Sequence, residues 1–315
     1  MAETAKPAAP AFKKKKHRQD IVKENIEVWS MLLPVMVLIF IFSYIPLWGV
    51  IIAFQNYLPG SPFFDPANWV GLKHIQQFLK SIFFVRLLTN TIRLSLLSIA
   101  FTFWVPIIFA LFLNEVTNLR FKKIAQTCSY LPYFVSSVVV AGMVISFLDV
   151  NGIINNLLAA FGAQPYEYMT DPDYFPAIYT VTTIWKGFGF ESILYFSTLS
   201  SIDPSLYEAA RIDGASHMKQ IWHITLPGLK SVIAIKLIMS VGHILSSNTD
   251  MILLLYNSST YKTADVIGTY VYRLGIQGGK FSYTTAVNLF MSLIAFALTS
   301  IANRVSNKLT GSGLW

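Results

Sequence analysis

Four stretches of the chain are strongly apolar and contain no charged residue. They cover residues 28–64, 94–114, 124–148 and 281–303. An α-helix rises about 1.5 Å per residue, so about 20 apolar residues cross the hydrocarbon core of a bilayer, which is about 30 Å thick. Each stretch is therefore predicted to form a transmembrane helix.

Two further apolar stretches, residues 174–202 and 231–256, are interrupted by a few ionisable side chains. Only 13% of all residues are charged, against about a quarter in soluble domains, so buried helices of a large soluble protein are a poor alternative. We predict an all-α integral membrane protein with six transmembrane helices. Its expected segments are a disordered basic tail (1–28), the first transmembrane helix (29–54), an outer loop with an interfacial helix (55–91), a five-helix core (92–302) and a C-terminal tail (303–315).

The basic residues are concentrated on one side of the predicted membrane. The run KKKKHR at residues 13–18 precedes the first span, and Lys and Arg collect on the cytoplasmic side of spans, which places the N-terminus in the cytoplasm. Six spans then leave about 15 Lys and Arg residues inside and about 7 outside. We expect a multi-pass protein of the cytoplasmic (inner) membrane with both termini inside. Because the charge of +8 follows this topology, a nucleic-acid partner is not expected. The outer exceptions include Lys73, Lys80, Arg86, Lys262, Arg273 and Lys280.

A polar insert at residues 203–227 separates the fourth and fifth stretches. Asp203 and Pro204 form an N-cap and first-turn pair that begins a short helix, although Ser205 and Glu208 have the spacing of a competing capping box. Gly214 can take the left-handed conformation that ends this helix. Ser216 can cap a second short helix, which Pro227 closes. Such an insert either docks in a groove of a partner or is a surface loop that binds nothing.

The same insert carries a family motif. Glu208-Ala209-Ala210, three residues, Gly214, nine residues and then Ile224-x-Leu226-Pro227 resemble the EAA loop of ATP-binding-cassette (ABC) importer permeases, in the form found in carbohydrate uptake. The resemblance covers most of the chain, which is similar to the permeases of oligosaccharide importers. It extends to LPYFVSSVVVAGM, GIINNLLAAFG, TTIWKGFGF, ADVIGTYVYRLGIQGGKFSYTTAV and the ending GSGLW.

The resemblance implies a type I ABC importer permease fold, in which residues 203–227, here named the coupling loop, sit in a cleft of a separate ATPase subunit. It also implies a second, homologous permease, a dimeric ABC ATPase and an extracellular or periplasmic solute-binding protein as partners. The positions that inherit the coupling role are Glu208, Ala209, Ala210, Arg211, Asp213, Gly214 and Ala215.

No enzymatic chemistry is indicated by the residues themselves. The chain has no G-x-x-x-x-G-K-[ST] phosphate loop, no histidine spacing typical of a metal site and no nucleophile placed beside a base. We expect no cofactor on this chain, and ATP and Mg²⁺ on the partner ATPase. The predicted function is transport, not catalysis.

A candidate solute path follows from the charges within spans, which usually face a cavity or a partner. Lys236, His243 and Asp250 are spaced by seven and would share one helical face. The bland alternative is packing against neighbouring spans, including a Lys186–Asp250 pair. Lys186 would also suit an acidic sugar. The path residues predicted here are Trp185, Lys186, Phe188, Glu191, Tyr195, His243, Ser247, Asn248, Asp250 and Asn288.

Two alternatives to an importer permease stay open at this point. A secondary transporter driven by an ion gradient could use the Lys236, His243 and Asp250 face as its relay, although the two halves show no convincing repeat of the kind common in that class. A membrane scaffold without transport would leave the polar face unexplained.

Overall fold

The computed structural model describes residues 18–245, 248–311 and 313–314. Helices account for nearly all of the regular structure in these ranges, beside one isolated bridge between Gln55 and Trp69. The α-helices are α1 (Arg18–Ile39), α2 (Lys73–Leu79), α3 (Phe84–Thr102), α4 (Trp104–Glu115), α5 (Leu119–Phe134), α6 (Ser137–Leu148), α7 (Ile153–Ala160), α8 (Phe175–Leu199), α9 (Pro204–Ile212), α10 (His217–Gln220), α11 (Leu226–Gly242), α12 (Thr249–Leu255), α13 (Tyr261–Ala264), α14 (Ile267–Val271) and α15 (Phe281–Thr310).

The chain divides into two compact units, with the boundary between Ile51 and Ile52. The first unit contains α1, a π-helical turn at Phe40–Tyr44 and the start of a 3-10 helix at Ile45–Phe54. Every side chain from Val28 to Trp48 is exposed. An apolar helix without a protein-covered face is suited to contact with lipid.

Five helical stretches within the described residues are long and apolar enough to cross a membrane: Val28–Phe54, Phe84–Glu115, Ser137–Ala160, His217–Gly242 and Phe281–Lys308. The structure is thus that of an all-α protein with several candidate membrane spans. The predicted fourth span coincides with α8, which has 25 residues but is not among the five.

Two of the predicted spans are broken rather than continuous. The stretch 124–148 divides at Val135, where the backbone is extended and the Ser136 hydroxyl accepts a hydrogen bond from the Val139 amide at 3.3 Å to begin α6. The stretch 231–256 divides after Gly242, where α11 ends, and Asn248 caps the separate helix α12. Local capping by Ser and Asn competes with an uninterrupted helix, which hydropathy alone does not register.

Helix α8 lies at the centre of the second unit and packs against α3, α4, α5 and α11. Gly189 permits the contact with α5, because a Cβ at this position would lie 2.0 Å from the Ser129 carbonyl oxygen. One residue further on, the Phe190 ring stacks on Tyr133 with centroids 3.9 Å apart. The central helix is therefore fixed by close backbone approach and by aromatic stacking.

A fully buried carboxylate anchors the chain beside α14. Asp265 is paired with Arg273 at 2.8 Å and with Arg86 at 3.6 Å, and it accepts a hydrogen bond from the Thr269 hydroxyl at 2.8 Å. The backbone carbonyl of Asp265 accepts from the Asn90 side chain at 3.0 Å. Burial alone would lower the pKa of Arg273, but the Asp265 carboxylate, together with Tyr256 and Tyr261, raises that pKa above its ordinary value. The cluster joins α3 to the segment before α15.

We expect Asp265→Ala to destabilise the protein by about 3 kcal/mol, the lower end for a broken buried pair because both guanidinium groups are partly exposed. The thermal midpoint of the purified protein, followed by size-exclusion chromatography after heating, should fall by roughly 5 °C or more. Glu167→Ala, at an exposed position, is the control and should leave the midpoint unchanged. Equal midpoints for the two variants would contradict the anchoring role.

Candidate functional site

The coupling loop begins with the short helix α9. The Asp203 carboxylate accepts a hydrogen bond from the Ser205 amide at 2.9 Å, and Pro204 occupies the first turn. Donation by the Ser205 amide, supplemented by its hydroxyl, lowers the pKa of Asp203. The N-cap predicted from the sequence is confirmed, and the competing start at Ser205 and Glu208 is not the one used.

A left-handed glycine ends α9. Gly214 has φ +74°, a conformation that costs an L-residue with a side chain about 1–2 kcal/mol. The Ala215 amide donates to the Ala210 carbonyl at 2.9 Å across this turn, and the Gly214 amide donates to Arg211 at 3.1 Å. The predicted role of Gly214 in ending the helix is confirmed.

The second half of the loop differs from the prediction. Ser216 lies at the N-cap of α10, but its side chain caps no backbone amide there. Instead of closing at Pro227, α10 continues through a π-helical turn at Ile221–Thr225 into α11. Pro227 has no amide donor for the backbone hydrogen-bond ladder, and the π-helical turn directly precedes it. The loop is therefore the beginning of a helical stretch that reaches Gly242.

Two contacts brace the coupling loop internally, and a third ties it to α4. The hydroxyls of Tyr207 and Thr225 are 3.1 Å apart, which joins the two halves of the loop. The Gln220 side chain donates to the Ala215 carbonyl at 3.1 Å. His217 Nε2 lies 2.7 Å from a carboxylate oxygen of Glu115, at the end of α4. The loop thus has a defined position relative to α4 and α11.

The residues predicted to couple to an ATPase lie together on α9 and the turn after it. Most of them are exposed, while Ala210 and Ala215 are partly buried. Four large apolar side chains of the same loop also face outward, and Ile212 is the most exposed at 86%. Apolar side chains this exposed on a polar loop are suited to burial against a partner. They are Leu206, Ile212, Met218 and Trp222.

A second feature is a cavity of about 440 Å³, here named the polar cavity, between α3, α8 and α11. Lys236 Nζ lies 3.5 Å from a carboxylate oxygen of Glu191 across it. His243 and Asn248 lie at the break between α11 and α12, on the same cavity wall. Of the predicted path residues, the structure brings together Glu191, His243 and Asn248.

The predicted face of Lys236, His243 and Asp250 on one helix is wrong. Lys236 is within α11, His243 is the residue that ends it, and Asp250 belongs to α12. Because the helix is interrupted between them, the spacing of seven no longer places the three side chains in one line. Lys236 and His243 still line the polar cavity, and Asp250 is not among its lining residues.

The other predicted path residues that the structure describes are not among the lining residues of the polar cavity. The Lys186 ammonium is 3.3 Å from the Tyr133 carbonyl oxygen rather than paired with Asp250. Phe188 packs edge-to-face on Phe109. Tyr195 is 1% exposed in a cluster that includes Ile107. Trp185 and Asn288 are exposed elsewhere, and Ser247 lies outside the described residues.

Most of the hydroxyl groups that line the polar cavity are not among the predicted path residues. Ser95, Ser98 and Thr102 are spaced by three and four on α3 and so share one face. The helical spacing of these hydroxyl side chains within an uncharged stretch was the sequence signal for the cavity, because polar residues on one side of a span face protein or water. The other hydroxyls come from Tyr179, Thr183 and Ser240.

Comparison with known proteins places this architecture in a family. The model of the binding-protein-dependent transport system inner membrane component matches residues 104–311. The polygalacturonan/rhamnogalacturonan transport system permease protein YteP of Bacillus subtilis (strain 168) is 39% identical over 100% of this chain and 99% of its own length. Protein LplB of the same organism is 37% identical over 93% of this chain and 92% of its own.

Two crystal structures share the fold. A chain of a bacterial ABC transporter involved in the import of the acidic polysaccharide alginate has a TM-score of 0.84 and 40% identity, over 93% of this chain and 99% of that chain. A chain of the bacterial alginate ABC transporter in complex with an alginate pentasaccharide-bound periplasmic protein has a TM-score of 0.85 and 39% identity, over 95% of this chain and 100% of that chain.

The fold is thus that of a type I ABC permease. The chain belongs to the binding-protein-dependent transport system inner membrane component family, and it is a multi-pass permease subunit of an oligosaccharide ABC importer, not an enzyme.

Proposed function

We propose that this permease pairs with a second, homologous permease to carry an acidic oligosaccharide across the cytoplasmic membrane. The observation that carries the proposal is the continuous helical stretch from His217 to Gly242. Its first residues belong to the exposed coupling loop, and its later residues Lys236 and Ser240 line the polar cavity. One helical stretch therefore connects the exposed coupling loop to the polar cavity.

The connection suggests how ATP hydrolysis drives transport. The exposed apolar side chains of the coupling loop would bury themselves in a cleft of an ABC ATPase, which holds ATP and Mg²⁺. Closure of the ATPase dimer would displace the loop, and the loop is tied to α4 through Glu115 and His217. Because α11 is continuous with the loop, the displacement would reach the Glu191–Lys236 contact and change access to the polar cavity.

The acidic substrate class is supported by the relatives. YteP is named for polygalacturonan and rhamnogalacturonan transport, and the crystal structures are of an importer of the acidic polysaccharide alginate. The hydroxyl-rich walls of the polar cavity provide hydrogen-bonding partners for sugars. A binding protein on the outer face would deliver the oligosaccharide.

The proposed topology counts α8 as a sixth span, with both termini in the cytoplasm. Helix α8 has 25 residues, about 37 Å at helical rise, which is enough to cross a bilayer. Its central position allows Lys186 and Glu191 to avoid lipid, because Lys186 contacts Tyr133 and Glu191 contacts Lys236. An uninterrupted apolar surface is not required of a helix surrounded by others.

We expect cysteine labelling in intact cells to show this topology. In a Cys128→Ser background, Lys80→Cys and Lys280→Cys should react with a membrane-impermeant maleimide, and Ile212→Cys should react only after permeabilisation. If α8 did not cross the membrane, Ile212→Cys would label from outside and Lys280→Cys would not, which would contradict the six-span topology.

Gly214→Val should separate this chain from its ATPase. The left-handed backbone at Gly214 disfavours a β-branched residue by about 1–2 kcal/mol, so the amount of ATPase that copurifies should fall roughly five- to thirtyfold. Gly214→Asn is the matched control, because Asn tolerates this conformation, and it should retain most of the ATPase. Equal recovery with Val and Asn would show that the turn has no part in coupling.

The polar cavity should be accessible to water. In the Cys128→Ser background, Ser240→Cys and Thr183→Cys, which line the cavity, should react at least tenfold faster with a charged methanethiosulfonate than Leu237→Cys. Leu237 is 44% exposed but outside the cavity lining, in a position suited to lipid. Comparable rates at the three sites would argue against a solvated path.

A further inference from the structure

The second unit contains a groove of about 950 Å³ that shares no lining residue with the polar cavity. It lies between residues 56–58, α2 and the start of α15. The helical stretch Phe84–Glu115 begins next to this groove and ends at the coupling loop, about 45 Å away at helical rise. Groove and coupling loop are therefore at opposite ends of the bundle, and the proposed topology puts the groove on the outer face.

The charged side chains that line the groove are all positive. Lys80 and Lys280 are among its 17 lining residues, and no Asp or Glu is. Lys80 ends α2 with its amide bonded to Gln76, and Lys280 precedes α15 with its amide bonded to Leu274. Among the described residues, neither ammonium group lies within 4.0 Å of a carboxylate. Both lysines are thus anchored through the backbone, with their charges unpaired.

A buried histidine in the groove lacks one hydrogen-bonding partner. His74 is only 8% exposed, and its Nε2 lies 3.3 Å from the Gln55 carbonyl oxygen. A carbonyl requires a donor, so the proton is on Nε2 and Nδ1 is the acceptor. Nδ1 is buried and has no partner among the described residues. Leaving a buried polar atom unpaired is unfavourable, so the position is suited to a ligand that donates a hydrogen bond.

Aromatic and neutral polar side chains complete the groove. Tyr270 and Tyr283 join their hydroxyls at 3.2 Å, and the Tyr283 ring meets His74 edge-on. Tyr57 is held by stacking on Phe63 and by donation from its amide to the Ser282 hydroxyl at 2.8 Å. Such rings present apolar faces with polar edges. The neutral polar lining consists of Asn56, Asn68, Gln77, Ser81 and Ser282.

We propose that this groove binds a uronate residue of an acidic oligosaccharide on the outer face, before the chain of sugars reaches the polar cavity. The lysines would hold the carboxylate, His74 Nδ1 would accept a bond from a hydroxyl, and the half-buried Tyr57 ring would cover the C–H face of the sugar. A fatty-acyl lipid lacks the hydroxyls that this lining can bind. The proposal rests on the proposed function for its topology and substrate class.

The test is a direct titration of the assembled importer in nanodiscs with tetragalacturonate. We expect Lys80→Gln combined with Lys280→Gln to weaken binding at least tenfold. Lys73→Gln, on the exposed surface of the same helix α2 and outside the groove, should bind as the native protein does. Fully methyl-esterified tetragalacturonate has no carboxylate, so its weaker binding should be insensitive to the lysine changes. His74→Phe should weaken both ligands several-fold.

The assignment would be overturned if the native protein transported tetragalacturonate without binding it directly, or if the double lysine variant bound it with unchanged affinity. Equal competition by a polyglutamate peptide would also overturn it, because it would indicate a protein-docking surface. Measuring uptake in the presence of the binding protein distinguishes failure of the groove proposal from failure of the proposed importer function. If the native importer takes up no acidic oligosaccharide, the proposed substrate class fails. If the native importer takes up the acidic oligosaccharide, and the groove variants bind it and take it up as the native importer does, only the groove assignment fails.

Discussion

The structure depends on burying a charged helix inside an apolar protein. Helix α8 carries Lys186 and Glu191, and charged side chains within a membrane are costly unless they meet protein or water. The bundle meets this constraint by surrounding α8 with four other helices. Gly189 brings α5 into backbone contact, and Lys236 of α11 neutralises Glu191. The polar cavity lies at this contact between the partly exposed Glu191 carboxylate of α8 and the Lys236 ammonium group of α11.

The sequence was sufficient for the parts of the fold that depend on long-range patterns of hydrophobicity and on local backbone chemistry. Uncharged stretches located the apolar helices, and Asp203, Pro204 and Gly214 located the start and end of α9. These features depend on residues close in sequence. The EAA motif indicated the family, which the family model and the relatives confirm.

The failures occurred where tertiary contacts decide the outcome. A spacing of seven could not show that Asn248 caps a new helix and so separates Asp250 from Lys236. Lys186 contacts a backbone carbonyl of α5 and not Asp250, its partner in the alternative to the solute path. Tyr195, predicted to line the solute path, is packed in the core. For Lys186 and Tyr195 the deciding contacts come from another helix, whose register no pattern within one segment specifies.

The Glu191–Lys236 contact also bears on how long a solute stays inside. A wall that carries one positive and one negative charge has no net charge, so it offers a polyanion no deep electrostatic minimum. Passage requires interactions strong enough for entry and weak enough for exit. A neutral wall of hydroxyls meets that requirement, since each hydrogen bond it makes to a sugar replaces one to water at little net gain. The pair would therefore favour a short residence time over tight binding.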